Sequence, residues 1–147
     1  MSLENNITNQ IKTAMKAKDV IRLEALRAIK SSLILFKTED RNHDISEIKE
    51  IEILHKLVKQ RKDSAEIYRN QRRLDLAEPE EAQAIIISEF LPKQLSDSEI
   101  EVVVLRVIDE ISADGMNDMG KVMKIVSAKL LGKADGKSIS NIVKKSL

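Results

Sequence analysis

Apolar residues recur at every third or fourth position through most of this sequence, and that spacing places them on one face of an α-helix. The clearest run is Leu23, Leu26, Ile29, Leu33 and Phe36. Residues that favour strands and tight turns are scarce, because the 147 residues include only four Gly, two Pro and three aromatic side chains. The sequence therefore predicts an all-α fold.

Four helices are predicted before residue 94, and two of them follow residues that favour the N-cap position. Asp19 precedes the second helix and Ser46 precedes a long third helix. The polar stretch between them, residues 38–44, is predicted to be a loop. The apolar sides of the first and third helices are predicted to comprise Ile7, Ile11, Met15, Ile48, Ile51, Leu54, Val58, Ala65 and Tyr68.

The fourth helix is predicted to extend to about Leu91. Pro79 either lies in its first turn, where a missing amide donor costs least, or interrupts a helix that begins earlier. Because the residue before Pro92 is biased away from helix, we place a domain boundary there. Residues 1–94 are predicted to form an N-terminal helical bundle, and residues 95–147 a small three-helix module. The apolar side of the fourth helix is predicted to comprise Ala84, Ile85, Ile87 and Phe90.

Composition and spacing disagree at residues 102–105, Val-Val-Val-Leu, which have the composition of a strand. A helix nevertheless places six apolar residues on one face, and β-branched residues cost a helix only a few tenths of a kcal/mol each, roughly. These residues are Ile100, Val103, Val104, Val107, Ile108 and Ile111. We therefore predict a helix, started by a capping box of Ser96 and Glu99. Breaks at 114–115 and 132–136 separate two further helices, whose apolar residues are Met119, Val122, Met123, Val126, Leu130, Ile139, Ile142, Val143 and Leu147.

Charge is segregated along the chain although the net charge is only +1. Residues 56–73 hold seven basic and two acidic side chains, and residues 115–147 hold seven lysines and two aspartates. Residues 95–114 hold one arginine against six acidic residues. The basic segments either contact phosphates or are solvated helix surfaces, and the pattern alone leaves both interpretations open.

The residues needed for common catalytic and metal sites are missing from the sequence. There is no cysteine, and His43 and His55 lack metal-ligand spacing. No phosphate-binding loop or nucleophile motif occurs. We therefore predict no catalytic residue, no metal site and no cofactor, and a protein that acts by binding. No apolar run is long enough to span a bilayer or to form a signal peptide, so we expect a cytoplasmic protein without membrane contact.

Five strings are spread in order over essentially the whole chain: KQRKDS at 59–64, RLDLAE at 73–78, EFLPKQLS at 89–96, DMGKVM at 118–123 and GKADG at 132–136. Together these strings resemble the YqeY family. The sequence departs from the family pattern in one place. Asn70-Gln71-Arg72 precede Arg73, where the family usually has Ala-Gly before that arginine, and we expect Asn70 to adopt the left-handed conformation there.

The resemblance implies two helical domains, the second similar to the tail of the B subunit of the tRNA-dependent amidotransferase. That tail contacts tRNA, and related domains are attached to some glutaminyl-tRNA synthetases. The glutaminase and ATP-dependent steps take place in other parts of the amidotransferase. A carbon–nitrogen ligase activity with glutamine as amido-N-donor is thus implied for the larger enzyme. For this chain the same description would reflect family membership and not an activity of its own.

The resemblance and the basic segments together indicate an accessory tRNA-binding protein, acting alone or beside an amidotransferase or aminoacyl-tRNA synthetase. With three aromatic residues the chain lacks a stacking platform for bases, so we expect contacts to the RNA backbone. The alternative is a helical protein–protein adaptor, with an independent enzyme ranked third. The candidate tRNA-binding residues are Lys121, Lys124, Lys133 and Lys137, with Arg61, Lys62 and Arg73 as a second patch.

The glycines and the turn before the last helix have structural interpretations as well. Gly120 is expected to permit close helix packing, and Gly132 and Gly136 are expected to form turns. Asp135 is expected to cap the last helix. Lys133 and Lys137 flank this turn, so they could also hold a phosphate near the N-terminus of that helix, where free amides favour anions.

Overall fold

The computed structural model describes residues 2–39 and 44–147, and these form seven α-helices and one turn of 3-10 helix, with no strand. The predicted all-α fold is confirmed, including helix at residues 102–105. The helices are α1 (Leu3–Ala17), α2 (Val20–Glu39), α3 (Glu47–Asn70), α4 (Leu74–Ser88), α5 (Asp97–Ile111), α6 (Met119–Lys129) and α7 (Gly136–Ser146), with the 3-10 turn at Met116–Asp118.

The chain divides into two compact units, Met1–Leu91 and Pro92–Leu147. The first unit contains α1 to α4 and the second contains α5 to α7. The short segment before α5 is bound within the second unit, because the Gln94 side chain donates to the Gly132 carbonyl at 2.6 Å and the Leu95 N–H donates to the Lys133 carbonyl at 2.8 Å.

The core of the first unit is formed by apolar residues from all four of its helices. Met15, Ile48 and Ile85, which we predicted for this core, are more than half exposed. In α1, Ala14 is buried instead of Met15. Residue 14 lies about two helical turns after Ile7 and therefore on the same side of the helix, whereas residue 15 lies about 100° further around the helix. The buried residues of this core are Ile7, Ala14, Ala25, Leu26, Ile29, Leu33, Leu54, Leu57, Val58, Ala84 and Ile87.

The second unit has its own apolar core between its three helices. The predicted sides of α5, α6 and α7 supply it, and Met119 and Met123 pack against it as partly buried residues. Ile111, predicted for the apolar side of α5, is instead exposed at the last residue of the helix. The buried residues are Ile100, Val104, Val107, Val122, Val126, Leu130, Ile139, Ile142 and Val143.

The four predicted N-caps are confirmed by side-chain hydrogen bonds. Asp19 accepts from the Arg22 N–H at 3.2 Å, Ser46 caps α3, and Asp135 caps α7. Ser96 and Glu99 form both halves of the capping box of α5. The Ser96 backbone N–H and hydroxyl donate to Glu99 and thereby lower the pKa of its carboxyl.

Two predicted boundaries are corrected. Helix α2 continues to Glu39, so Thr38 and Glu39 are helical, and the rest of the predicted loop up to His43 lies outside the described residues. Helix α4 begins at Leu74, which makes Pro79 its sixth residue, and it ends at Ser88 instead of Leu91. Of the two alternatives for Pro79, the earlier start is correct.

The end of α3 differs from the prediction that Asn70 is left-handed. Asn70 is the last helical residue, and Arg72 adopts the left-handed conformation with φ of 59°. The Arg73 N–H donates to the Tyr68 carbonyl at 2.8 Å and the Arg72 N–H donates to the Arg69 carbonyl at 3.0 Å. This pair of bonds is the Schellman motif, which requires its left-handed residue two positions after the helix ends.

An Arg72→Gly substitution is expected to raise the free energy of unfolding by about 0.5–1 kcal/mol. The left-handed conformation costs a residue with a Cβ about 1–2 kcal/mol, and the added freedom of glycine in the unfolded chain offsets part of the gain. Arg72→Ala is the matched control, since it removes the side chain and keeps the Cβ. Urea unfolding checks this, and equal stabilities for the two variants would contradict the geometry of this turn.

Candidate nucleic-acid interface

Helix α6 presents Lys121 and Lys124 to solvent. Val122 and Val126 are fully buried, and Lys124 lies about 200° around the helix from Val122, opposite the core. Lys121 Nζ lies 3.9 Å from Asp118 Oδ1 with 77% of the lysine side chain exposed, which makes this a weak ion pair. Both ammonium groups are therefore accessible to an anionic ligand.

The turn between α6 and α7 places Lys133 and Lys137 on either side of Asp135, and both lysines are exposed. Asp135 Oδ1 accepts from the Ser138 N–H at 2.9 Å. This carboxylate already occupies the N-terminus of α7, so a phosphate at that position would meet a negative charge. We therefore expect phosphate contacts in this region to come from the lysine side chains and not from the N-terminus of α7.

The glycines of this region have different roles from one another. Gly132 is buried with φ of 80°, which confirms its turn. Gly120 is exposed, and a Cβ added there would meet no described atom within 4 Å, so the expected close helix packing at Gly120 is wrong. Gly136 is the first residue of α7, and it too has open space around it.

The first two residues of the second predicted patch, Arg61 and Lys62, differ in their surroundings. Arg61 Nε donates to Gln83 Oε1 at 3.2 Å, and its Nη1 donates to the Leu57 carbonyl at 3.4 Å. The Arg61 guanidinium therefore lies against α4. Lys62 is exposed, and none of the ion pairs within the described residues includes it. These two bonds use two of the five guanidinium N–H donors, so Arg61 is held in place and only its remaining donors could contact RNA.

Two bidentate ion pairs neutralise arginines at the junction of α3 and α4. Arg73 pairs with Asp75, and Arg69 pairs with Glu81. Each guanidinium donates to its carboxylate, which lowers the pKa of Asp75 and of Glu81. Arg73, the third residue of the predicted patch, is thus already paired. Arg72, which the sequence did not single out, is exposed and in no ion pair of the described chain.

Helix α7 exposes two further lysines that are not among the candidate tRNA-binding residues predicted from the sequence. Lys144 and Lys145 follow Lys137 by seven and eight residues, so the three side chains share the solvent side of α7, opposite Ile139 and Val143. The helical spacing that identified the apolar side of α7 would also have identified this basic side. By contrast, Lys129 of α6 pairs with Glu110 of α5 at 3.6 Å.

Metal-binding clusters and membrane-spanning helices are absent from the described part of the chain. Within residues 2–39 and 44–147, no group of three or more His, Cys, Asp or Glu side chains could hold a metal ion, and His43 lies outside these ranges. His55 Nε2 is buried without a hydrogen-bond partner in the same part of the chain. None of the described helices is both long and apolar enough to cross a membrane.

Comparison with known proteins identifies the family. The model of the family described as Yqey-like protein matches residues 4–147. The chain belongs to this family. The YqeY-like resemblance inferred from the five strings is confirmed.

Three curated relatives extend the comparison of this YqeY-like chain. Altered inheritance of mitochondria protein 41, mitochondrial, is 32% identical in Lachancea thermotolerans, over 72% of this chain and 58% of that protein. The protein of the same name in Clavispora lusitaniae is 30% identical, over 86% of this chain and 75% of the relative. The E subunit of the Glutamyl-tRNA(Gln) amidotransferase of Thermococcus gammatolerans is 36% identical, over 47% of this chain and 12% of that protein.

These matches limit what the relatives imply. The chain matches 58% of the length of the first relative and a small part of the amidotransferase protein, so the activities of the whole proteins are not carried over. The similarity to one subunit of an amidotransferase supports the amidotransferase resemblance that was inferred from the sequence. Two relatives are named as mitochondrial proteins, and the expected cytoplasmic location of this YqeY-like chain stays a prediction.

Proposed function

We propose that this chain binds tRNA through the lysines of its second unit. The observation that carries the proposal is the composition of α6 and α7, which hold six lysines and no acidic residue. Four of the six, Lys124, Lys137, Lys144 and Lys145, are exposed and take part in no ion pair of the described residues. Exposed, unpaired lysines on consecutive helices support the proposal, because proteins that bind nucleic acid contact phosphates through clustered Lys and Arg.

The composition of the second unit defines the type of contact. Residues 92–147 contain no Phe, Tyr or Trp, so this unit cannot stack bases on aromatic rings. Its lysines would instead contact phosphates, which fix position and orientation without reporting base sequence. Binding of this type favours a folded RNA with a defined backbone shape, and it weakens strongly as salt is added.

The likeness to an amidotransferase protein is the reason for proposing tRNA among folded RNAs. The name of that relative specifies Glutamyl-tRNA(Gln) as the substrate of its enzyme. Because the match covers 12% of the relative, we propose the binding function alone for this chain, without the catalytic steps. The chain would act by itself or beside an amidotransferase or aminoacyl-tRNA synthetase. The protein–protein adaptor remains the alternative.

A nuclear magnetic resonance titration of the ¹⁵N-labelled chain with unfractionated tRNA at low salt tests the proposal. We expect amide signals to shift or broaden mainly in α6, in the 132–136 turn and in α7, and to recover when salt is raised. Signals of α1 and of α5 are the internal controls. Changes confined to the first unit, or no change at all, would contradict the proposal, and the second result would favour the adaptor.

A further inference from the structure

The solvent side of α7 is a line of basic and polar side chains. Lys137, Asn141, Lys144 and Lys145 are all exposed and lie at spacings of four, seven and eight residues from the first. At 1.5 Å of rise per residue, Lys137 and Lys144 are separated by about 10.5 Å along the helix axis. We call Lys137, Lys144 and Lys145 the α7 ridge.

The position of Lys137 is not explained by the stability of α7. Cations near the C-terminus of a helix interact favourably with the helix dipole, which accounts for Lys144 and Lys145 without any ligand. Lys137 is the second residue of α7, at the positive end of the dipole, where a cation is unfavourable. Four of the other helices, α1, α3, α4 and α5, have acidic residues in this turn.

The other side chains of the second unit restrict where a polyanion can bind. Helix α5 carries five carboxylates and one arginine, and its residues Glu101 and Asp109 are exposed. Glu110, one of the five carboxylates, pairs with Lys129 of α6, which leaves four carboxylates on α5 against one arginine. A polyanion is therefore repelled from the outer side of α5 and attracted to the α7 ridge.

The burial of the apolar side of α7 selects among anionic partners. A basic amphipathic helix binds an anionic lipid surface by inserting its apolar side. In α7 that side is Ile139, Ile142 and Val143, all of which are buried in the core of the second unit. Insertion would require the unit to unfold, so the ridge is suited to a rigid array of phosphates.

We propose that the α7 ridge binds the sugar–phosphate backbone of a folded RNA, with Lys144 and Lys145 as contacts in addition to the four lysines predicted from the sequence. This inference rests on the proposed function. It extends the RNA-binding surface from the turn at 132–136 along the length of α7, and it leaves the outer side of α5 free of RNA.

The test compares the salt dependence of tRNA binding for three double variants of the full chain. K144A/K145A is expected to weaken binding and to lower the slope of log affinity against log salt by roughly 1.4–1.8, since each lost phosphate contact lowers it by about 0.7–0.9. K144R/K145R keeps the charges and should bind like the wild type. K12A/K16A removes two exposed lysines from α1 and is the matched control, with no expected change.

Fluorescence anisotropy of labelled unfractionated tRNA provides the measurement, and circular dichroism verifies that every variant keeps its helix content. If the wild type binds and K144A/K145A behaves like K12A/K16A, the inference about the α7 ridge is wrong while the proposed function stands. If the wild type does not bind at low salt, the proposed function is overturned together with the inference.

Discussion

Val104→Asp is expected to unfold the second unit, whereas Val102→Asp, two residues earlier, is expected to be tolerated. Val104 is 0% exposed in the core of that unit, and Val102 is 57% exposed. Residues two apart lie on nearly opposite sides of a helix but on the same side of a strand. The pair of variants therefore tests the assignment of residues 102–105 to a helix.

The size of the difference follows from burial. An unpaired carboxylate in an apolar core costs several kcal/mol even if it becomes protonated, on the order of the whole stability of a unit of about 50 residues. At the exposed Val102 position the same substitution should change stability by about 0.5 kcal/mol or less. Valine and aspartate have similar helix propensities, so propensity does not confuse the comparison.

Amide signal dispersion in α5 to α7 is the measurement for this pair, with the signals of the first unit as reference. Val104→Asp should collapse the dispersion of the second unit, and Val102→Asp should retain it. Similar losses in both variants would indicate a strand in which the two side chains share a side, and would contradict the structure of α5.

The helices were predictable because two independent kinds of local pattern agree. In α5 the apolar spacing overrules the strand-like composition, and the capping box of Ser96 and Glu99 marks the start. Asp19 and Ser46 mark the starts of α2 and α3 in the same way. Patterns of this kind involve residues within four positions of each other, which a sequence displays directly.

The incorrect predictions concern features that are determined by contacts between distant residues or by backbone hydrogen bonds. Arg72 is left-handed because the carbonyls of Tyr68 and Arg69 accept from the turn, whatever the intrinsic preference of Asn70. The hydrogen bond from Arg61 to Gln83 joins residues 22 positions apart, and no local pattern predicts it.

The candidate site was predictable only in part for a similar reason. Exposure of Lys121, Lys124, Lys133 and Lys137 follows from their places outside the apolar stripes. Whether a cation is already paired depends on the folded chain. Arg73 has its partner two residues away in Asp75, a local pair that the apolar spacing does not reveal.

Replacing Lys121, Lys124, Lys133 and Lys137 together by alanine is expected to abolish most of the salt-dependent affinity for tRNA. Each phosphate contact contributes about 0.7–0.9 to the salt slope, so the loss of four contacts should lower it by about three. All four side chains are exposed, and surface substitutions typically cost about 0.5 kcal/mol or less each, so the fold should persist.

A matched control removes the same total charge from the first unit. Lys12, Lys16, Arg27 and Lys56 are exposed, and no ion pair within the described chain involves them. Their replacement by alanine changes the net charge as much as the second-unit variant does. A loss of affinity shared equally by the two variants would show that net charge alone governs binding.

The most direct measurement of the central claim is a titration of labelled unfractionated tRNA with the wild type and both quadruple variants at about 50 and 200 mM salt. We predict that the wild type and the first-unit control bind alike and weaken steeply with salt, and that the second-unit variant binds more weakly with a shallower slope. Equal binding by the wild type and the second-unit variant, or no binding of the wild type at the lower salt, would contradict tRNA binding by the second unit.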